Sequence, residues 1–406
     1  MKKCLLFVLI VLLGLPLAAA AAGISGDCSN CHTMHNSQEG NFMVEAFSDT
    51  GELAKSAQLN QNLLRYDCLA CHARGGEDNI FPGFGVTQTQ IPQVYHTNAD
   101  DLAGGNFAYI SGTKGSGASD RKGHNVRDLF DNGDTNSASA TYARPPGFPD
   151  YGGHRNNDPF GADFSNFTCA GAAGCHGTRN QVLDNGDKRV GIAAVTGAHH
   201  LSTDGLKNPN QMTSGDHNPT ALAGGYRFIP GLKGAGNVED RWQNASASSH
   251  NEYFGADVPL DLENVSCQAC HVGGNPKTTS SAIQVPNQSM SGFCSTCHGD
   301  FHSAGDQGTS GAFLRHPSDF VIPDEREYAA YQDYNITAPV ARPDLLTIGD
   351  INKVRPGTDM VMCLSCHVAH ASDYEGMLRF DYATMTAGSL GPEDDRNGCL
   401  ACHTNK

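Results

Sequence analysis

Apolar positions in this chain form one long block near the start and many short groups after it. A mainly apolar run from Leu5 to Leu17 follows Lys2 and Lys3 and precedes small residues that continue to Ala22. This order of charge, apolar block and small residues is typical of a secretory signal peptide, and the block is short for a membrane-spanning helix. We therefore predict a signal peptide at residues 1–22, with a retained anchor as the alternative. The mature chain is expected to be exported, periplasmic or extracellular, and without a membrane anchor.

After this block, the apolar groups are too short and too widely spaced to predict long helices or strands. Hydrophobic residues make up 39% of the chain, with 47 glycines and a single tryptophan. Such a composition favours turns and buries too little apolar side chain to form a large core. We expect a mostly irregular chain with short helices, two of them at Gln58–Tyr66 and Asp324–Tyr334. Something other than side chains is expected to fill the interior.

Charge excludes one class of function. The formal net charge is −16 at pH 7. Nucleic-acid binding requires clustered lysine and arginine, so no nucleic-acid partner is expected.

Cysteine and histidine supply the chemistry. Apart from Cys4, which falls in the predicted signal peptide, the chain has fourteen cysteines in seven close pairs, each followed at once by histidine. Six pairs have the spacing Cys-x-x-Cys-His: Cys28 and Cys31, Cys68 and Cys71, Cys267 and Cys270, Cys294 and Cys297, Cys363 and Cys366, and Cys399 and Cys402.

This motif is the attachment site of a c-type haem. The two thiols add to the two vinyl groups of the porphyrin, and the histidine that follows becomes an axial ligand of the iron. Structural zinc would account for the cysteine pairs but not for a histidine after each one, and disulfides would not require histidine either. We expect a short helix at each motif. Covalent haem also explains how a chain with few core-forming residues can fold.

The third motif departs from this spacing. It reads FTCAGAAGCHG, with five residues between Cys169 and Cys175, followed by His176. A disulfide between the two cysteines is the alternative to haem. The spacer contains only alanine and glycine, so its extra residues can bulge outward, and glycine tolerates the backbone angles that a bulge needs. We therefore predict seven haems, or six if this motif does not bind one. The predicted proximal ligands are His32, His72, His176, His271, His298, His367 and His403.

Eleven further histidines exceed the seven needed as second axial ligands. Methionine is the competing ligand, with Met34, Met362 and Met377 near motifs. His35 and His370 each follow a motif histidine by three residues, and His302 follows one by four. Three residues span at most about 11 Å, too little to round the edge of a haem. Each of these histidines is therefore expected to bind a neighbouring haem, which requires the haems to be closely spaced.

Motif spacing suggests one continuous domain. We predict a single multihaem domain at residues 23–406, with two haem-poor loops at about residues 73–168 and 177–266 that donate ligands. The two loops contain similar stretches, Leu102–Arg121 and Leu222–Arg241, each beginning LAGG. This pattern indicates a duplicated unit of one haem and one ligand-donating loop, with coincidence between glycine-rich loops as the alternative.

Several segments resemble multihaem cytochromes c of metal- and sulfur-reducing bacteria, the group with doubled CxxCH motifs. They include CHTMHNSQ, GHNV, CAGAAGCHG with GAHH, YRFIPGLKG, HNEY, FLRHPSDF and CLSCHVAHAS. The resemblance implies an irregular, haem-cored chain wrapped around closely spaced haems with two histidine ligands each. It also implies partners that are other cytochromes or extracellular and mineral electron acceptors, and some members assemble into filaments. By motif position, the distal ligands implied are His35, His124, His199, His200, His250, His302, His316 and His370.

The predicted function is electron transfer through seven haems, without enzymatic activity. The alternative is an oxyanion reductase with one five-coordinate haem. No Cys-x-x-Cys-Lys variant occurs in the chain, so a lysine-ligated catalytic haem has no support in the sequence.

Overall fold

The structure of the chain is a computed structural model that describes part of it. The described residues are 28–30, 32–36, 41–47, 53–57, 63–65, 68–73, 77–82, 90–126, 129, 145–146, 167–170, 174–176, 232–234, 242–256, 289–295, 297–298, 301, 316–343, 348–388 and 396–405. The predicted signal peptide lies outside them, as does most of the second LAGG stretch.

Regular structure is sparse and comes in very short pieces. The α-helices are α1 (Leu69–His72), α2 (Ala108–Ser111), α3 (Met290–Ser295), α4 (Cys363–Cys366) and α5 (Cys399–Cys402). The 3-10 turns are Cys28–Asn30, Asp120–Lys122, Tyr328–Ala330, Glu375–Met377 and Tyr382–Thr384. The strands are β1 (Glu45–Phe47), β2 (Leu53–Lys55), β3 (Ile80–Pro82), β4 (Gln90–Pro92), β5 (Thr168–Ala170), β6 (Gly174–His176), β7 (Leu232–Gly234), β8 (Asn251–Phe254), β9 (Phe320–Val321), β10 (Ala341–Arg342) and β11 (Met360–Val361). The predicted mostly irregular fold with short helices is confirmed.

The predicted helix at Asp324–Tyr334 is wrong, and the one at Gln58–Tyr66 is contradicted in its described part. Of Gln58–Tyr66 the structure describes residues 63–65, which are irregular, and Leu64 forms an isolated antiparallel bridge with His32. The segment Asp324–Tyr334 contains only the 3-10 turn Tyr328–Ala330, because Arg326 adopts a positive φ of 54° that a helix does not allow. After that turn the backbone pairs instead with the segment that follows Asn352.

One larger sheet organises the C-terminal half. Its strand order is β7-β8-β10-β11-β9. All neighbouring strands are antiparallel except β8 and β10, which run parallel with Ala341 opposite Tyr253. The remaining strands form three two-stranded pairs, β1-β2, β3-β4 and β5-β6. One residue separates strand β11 of this sheet from α4, so the sheet positions the sixth motif.

The buried apolar residues form several small clusters rather than one core. One lies around Leu69, Phe107 and Ile110, a second around Tyr253, Met290 and Met362, and a third around Tyr331, Val340 and Ala401. Motif cysteines pack against all three: Cys169 against the first, Cys175 and Cys294 against the second, and Cys402 against the third. Small clusters bordered by motif cysteines agree with the composition, which predicts too few core-forming residues for one large core.

Within the part of the chain that the structure describes, no helix is long and apolar enough to cross a membrane. The domain boundaries stay predictions.

Candidate haem-binding sites

The five Cys-x-x-Cys-His motifs in the described part of the chain share one local backbone geometry. In each, the backbone N–H of the histidine donates a hydrogen bond to the carbonyl of the first cysteine, over 2.8 to 3.1 Å. The five bonds run from His32 to Cys28, His72 to Cys68, His298 to Cys294, His367 to Cys363 and His403 to Cys399. One helical turn therefore brings the two cysteines and the histidine close together, as attachment to one porphyrin edge requires. The predicted helix forms at four of these motifs, and the first forms a 3-10 turn.

The third motif is not helical, and the prediction of a helix there is wrong. Its cysteines lie on β5 and β6, two parallel strands that pair Thr168 with Gly174 and Ala170 with His176. This register places Cys169 and Cys175 beside each other, at the junction of two buried clusters. The longer spacer therefore brings the two thiols together by strand pairing instead of a helical turn.

Five motif histidines and two predicted distal histidines have a fixed ring orientation. In each of these seven imidazoles, Nδ1 lies within hydrogen-bonding distance of an oxygen atom. The pairs are His32 with Leu63 O (3.2 Å), His72 with Pro92 O (2.7 Å), His124 with Ala369 O (2.7 Å), His298 with Pro146 O (2.6 Å), His316 with Pro317 O (3.0 Å), His367 with Gly376 O (2.6 Å) and His403 with Glu327 Oε1 (3.3 Å). These acceptors cannot donate, so the proton is on Nδ1 and the Nε2 lone pair is available to a metal.

Three motif histidines each face a histidine from elsewhere in the chain. The ring centroids are 6.1 Å apart for His298 and His124, 6.1 Å for His176 and His370, and 6.4 Å for His403 and His316. The corresponding angles between ring planes are 41°, 44° and 86°. In each pair, the second histidine is one that the sequence resemblance implies as a distal ligand.

This spacing fits one iron between two imidazoles. A ring nitrogen lies about 1.2 Å from its centroid and binds metal at about 2 Å, so two imidazoles on opposite sides of one iron have centroids about 6.3 Å apart. All three distances lie close to this value. The three pairs are therefore suited to hold the iron of a haem, which would supply one-electron redox chemistry there.

The environment of His370 is closely packed. Its ring stacks on Phe107 at 4.9 Å, and its backbone N–H donates to the carbonyl oxygen of Gly104 over 2.6 Å. A Cβ at Gly104 would be 2.9 Å from two atoms of the His370 ring. Gly105 has a φ of +85°, and a Cβ there would be 2.2 Å from the carbonyl oxygen of Ala371. The two glycines of the first LAGG stretch therefore form the surface against which His370 packs.

Burial keeps several of these imidazoles neutral. It lowers the pKa of His72 and of His367, and it lowers the pKa of His370 to about 3, with a further contribution from His176. A hydrogen bond with the Gly105 backbone offsets part of this effect on the pKa of His370. Neutral imidazole is the form that binds iron, so the shifts favour ligation at neutral pH.

Thiols of different motifs lie near one another. Cys294 hydrogen-bonds Cys363, which raises the pKa of Cys294 well above its usual value, and Cys175 contributes to the same shift. Burial raises the pKa of Cys366 to about 11 and that of Cys402 to about 12, and Cys399 and Cys366 respectively add to these shifts. The third, fifth and sixth motifs therefore meet in one place, and the sixth and seventh in another.

The other predicted ligands are placed differently. His35 is exposed and has a positive φ of 55°. His250 is fully buried, its ring stacks on Tyr334 at 3.7 Å, and its Nε2 lies 3.0 Å from Glu252 Oε1. Glu252 in turn accepts from Arg342, so His250 belongs to a buried ionic network. Its role as a distal ligand stays a prediction. Seven predicted site residues lie outside the described part of the chain: Cys31, Cys267, Cys270, His271, His199, His200 and His302.

Sequence reasoning did not find the residues that orient the ligands. Gly104, Gly105 and Phe107 pack against His370, and Glu327 hydrogen-bonds His403. The recurrence of LAGG was the available signal for the two glycines. No local signal marks Glu327, because its contact joins distant parts of the chain.

Comparison with known proteins supports this assignment. Residues 355–406 match the family described as "Doubled CXXCH motif", and they include the sixth and seventh motifs. The chain is 25% identical over 398 residues to the C-type cytochrome OmcS of Geobacter sulfurreducens, covering 89% of this chain and 80% of that protein.

Two solved structures also match. One is the outer membrane cytochrome S filament from Geobacter sulfurreducens, at 18% identity and a TM-score of 0.42, and the other is the OmcS nanowire from the same organism, at 18% identity and a TM-score of 0.40. Each match covers 90% of this chain and 86% of the other. These scores are too low to carry an argument about fold. The family match and the sequence identity confirm the predicted resemblance: the C-terminal region carries the doubled CXXCH motif, and the chain as a whole resembles multihaem c-type cytochromes.

Proposed function

We propose that this protein is a heptahaem c-type cytochrome that transfers electrons through closely spaced haems with two histidine ligands each. The observation that carries the proposal is the spacing of three imidazole pairs, 6.1 to 6.4 Å between ring centroids. Each pair joins a motif histidine to a distal histidine, so each motif involved has a complete set of axial ligands. Such iron has no open coordination position, which suits electron transfer rather than substrate binding.

Proximity of the sites supports a conduit. His124 donates its backbone N–H to the carbonyl of His370 over 3.0 Å, within an antiparallel bridge between Gly123 and Ala371. Two distal ligands for two different motifs therefore lie on adjacent backbone segments. The hydrogen bond between Cys294 and Cys363 extends the same arrangement. The electrostatic effects of Cys175 on Cys294 and of Cys399 on Cys366 agree with it. Electrons would pass between neighbouring haems along this series.

Ligation is tested by binding of carbon monoxide. The reduced wild-type protein is expected to bind none, because every iron is six-coordinate. His124→Ala is expected to open one site and give carbon monoxide binding at one haem equivalent. His96→Ala is the matched control and should bind none, since His96 is buried and is not among the distal ligands that the sequence resemblance implies. Substantial binding by the wild type would contradict the proposal and favour a reductase with a five-coordinate haem.

The number of haems is tested by mass spectrometry of the mature protein. We expect seven covalent additions, and six after Cys169→Ala with Cys175→Ala. The support for the third site is the strand register that places these two cysteines beside each other. Six additions in the wild type would refute haem attachment at this motif.

We further propose that the protein is exported and assembles into extracellular filaments. The similarity to OmcS, whose solved structures are described as filaments and nanowires, supports this proposal. Partners would be other cytochromes or extracellular and mineral electron acceptors. Electron microscopy of the secreted protein tests assembly, and monodisperse particles at all concentrations would contradict it.

A further inference from the structure

We propose that Glu327 tunes the site formed by Cys399, Cys402 and His403, making it the most strongly reducing haem site among the three paired sites. The inference rests on the proposed attachment of a haem at this motif. It goes further because it assigns a function to a carboxylate that lies outside every motif and outside every predicted ligand set.

The geometry around Glu327 is specific. Its Oε1 lies 3.3 Å from Nδ1 of His403, and its side chain is only 11% exposed. The Thr404 hydroxyl donates to the Glu327 carbonyl over 2.5 Å, and the ring of Tyr328 contacts the His403 ring edge-on at 5.2 Å. Residues on both sides of the contact therefore hold the carboxylate against the imidazole.

The oxygen beside Nδ1 of His403 differs from those beside the six other Nδ1 atoms described above. In those six rings it is a neutral backbone carbonyl. A carboxylate attracts the Nδ1 proton more strongly than a carbonyl does, and it makes the imidazole a more basic ligand.

A more basic ligand and a nearby negative charge both favour the oxidised iron. Oxidised iron carries one more positive charge than reduced iron, so it gains more from the carboxylate. Reduction adds one electron, supplied by a neighbouring haem or by a chemical mediator. No bond forms or breaks, and the proton stays on Nδ1. Among the three paired sites, His403 with His316 should therefore have the lowest reduction potential.

The test is a potentiometric titration of the mature holoprotein, with optical detection, for the wild type, Glu327→Gln and Glu325→Gln. Glu325 is an exposed carboxylate two residues away, so its replacement removes the same charge without touching His403. In Glu327→Gln, we expect one haem equivalent at the negative end of the titration to shift to a more positive potential. In Glu325→Gln, the titration should match the wild type. Equal shifts in both variants, or no shift in Glu327→Gln, would overturn the proposal.

A second variant separates tuning from loss of structure. Glu327→Asp keeps the charge but withdraws the carboxylate from Nδ1, so it should give a smaller positive shift of the same component. If Glu327→Gln lost its haem, Glu327→Asp would decide alone, and an unchanged titration would refute the inference. Failure of the proposed function would look different, because the wild type itself would then lack the optical spectrum of six-coordinate haem.

Discussion

Replacement of Gly105 by alanine tests how His370, a proposed distal ligand, is positioned. Gly105 has a φ of +85°, and a Cβ there would be 2.2 Å from Ala371 O and 2.9 Å from Val368 Cγ2. Real contacts at Cβ essentially never come below 3.0 Å, so the backbone at Ala371, directly after His370, has to move. That movement would break the hydrogen bond from Asn106 N–H to Ala371 O, which is 2.8 Å long.

The expected cost has two parts. Alanine at a positive φ costs about 1 to 2 kcal/mol, and loss of the Asn106 hydrogen bond costs about 0.5 to 1.5 kcal/mol more. Gly349 provides a matched control, because its φ is +75° and a Cβ there would have no atom within 4 Å. Gly349→Ala should therefore show the backbone cost alone, about 1 to 2 kcal/mol.

Two measurements distinguish the variants. Guanidinium denaturation should show a larger loss in the free energy of unfolding for Gly105→Ala than for Gly349→Ala. The reduced Gly105→Ala protein should also bind carbon monoxide at one haem equivalent, because a displaced His370 leaves its iron open, whereas Gly349→Ala should bind none. Equal stability and equal spectra in the two variants would refute the role of Gly105 in positioning His370.

Three further predictions follow from buried charge and strand pairing. Arg342→Met removes the buried guanidinium that pairs with both Glu252 and Asp359, while Glu252 keeps its contact with His250 and Asp359 its contacts with Arg355. The variant should lower the free energy of unfolding by about 3 to 5 kcal/mol. Lys353→Met removes an exposed ion pair with Asp333 and should lower it much less in a denaturant titration. Burial lowers the pKa of His96 to about 4, so the unfolded chain binds a proton there between pH 6.5 and 4 while the folded chain does not. Stability should therefore be full above pH 6.5 and fall by up to about 3 kcal/mol toward pH 4, and His96→Phe should flatten this fall when unfolding is measured as a function of pH. Gly174→Pro removes a backbone N–H within β6, where Gly174 pairs with Thr168. Mass spectrometry should then show less haem addition at the third motif, whereas the control Ser248→Pro, at an exposed position, should leave haem addition unchanged.

Local sequence predicted the geometry of the regular motifs well. Two residues between cysteines allow a single turn, and five described motifs close it with the same histidine-to-cysteine hydrogen bond. The predicted helix at Asp324–Tyr334 was wrong, and the described residues 63–65 of the one at Gln58–Tyr66 are not helical. Distant segments pair with both, as Asn352 does with Tyr334 and His32 with Leu64. Local preference is a weak determinant in so short a segment when long-range pairing competes.

The sequence by itself determined the chemistry of this protein, because covalent haem attachment needs only two thiols and an imidazole within a few residues of each other. It also indicated that the chain would be irregular, since the composition supplies too few apolar side chains for one large core. Only the tertiary structure decided which histidine faces which, as in the pair of His124 with His298, and which oxygen orients each ring, as Glu327 does for His403. The physical reason is distance along the chain: a motif fixes contacts within one turn, whereas the histidine pairs and the oxygens that orient them come from segments that meet only when the chain folds.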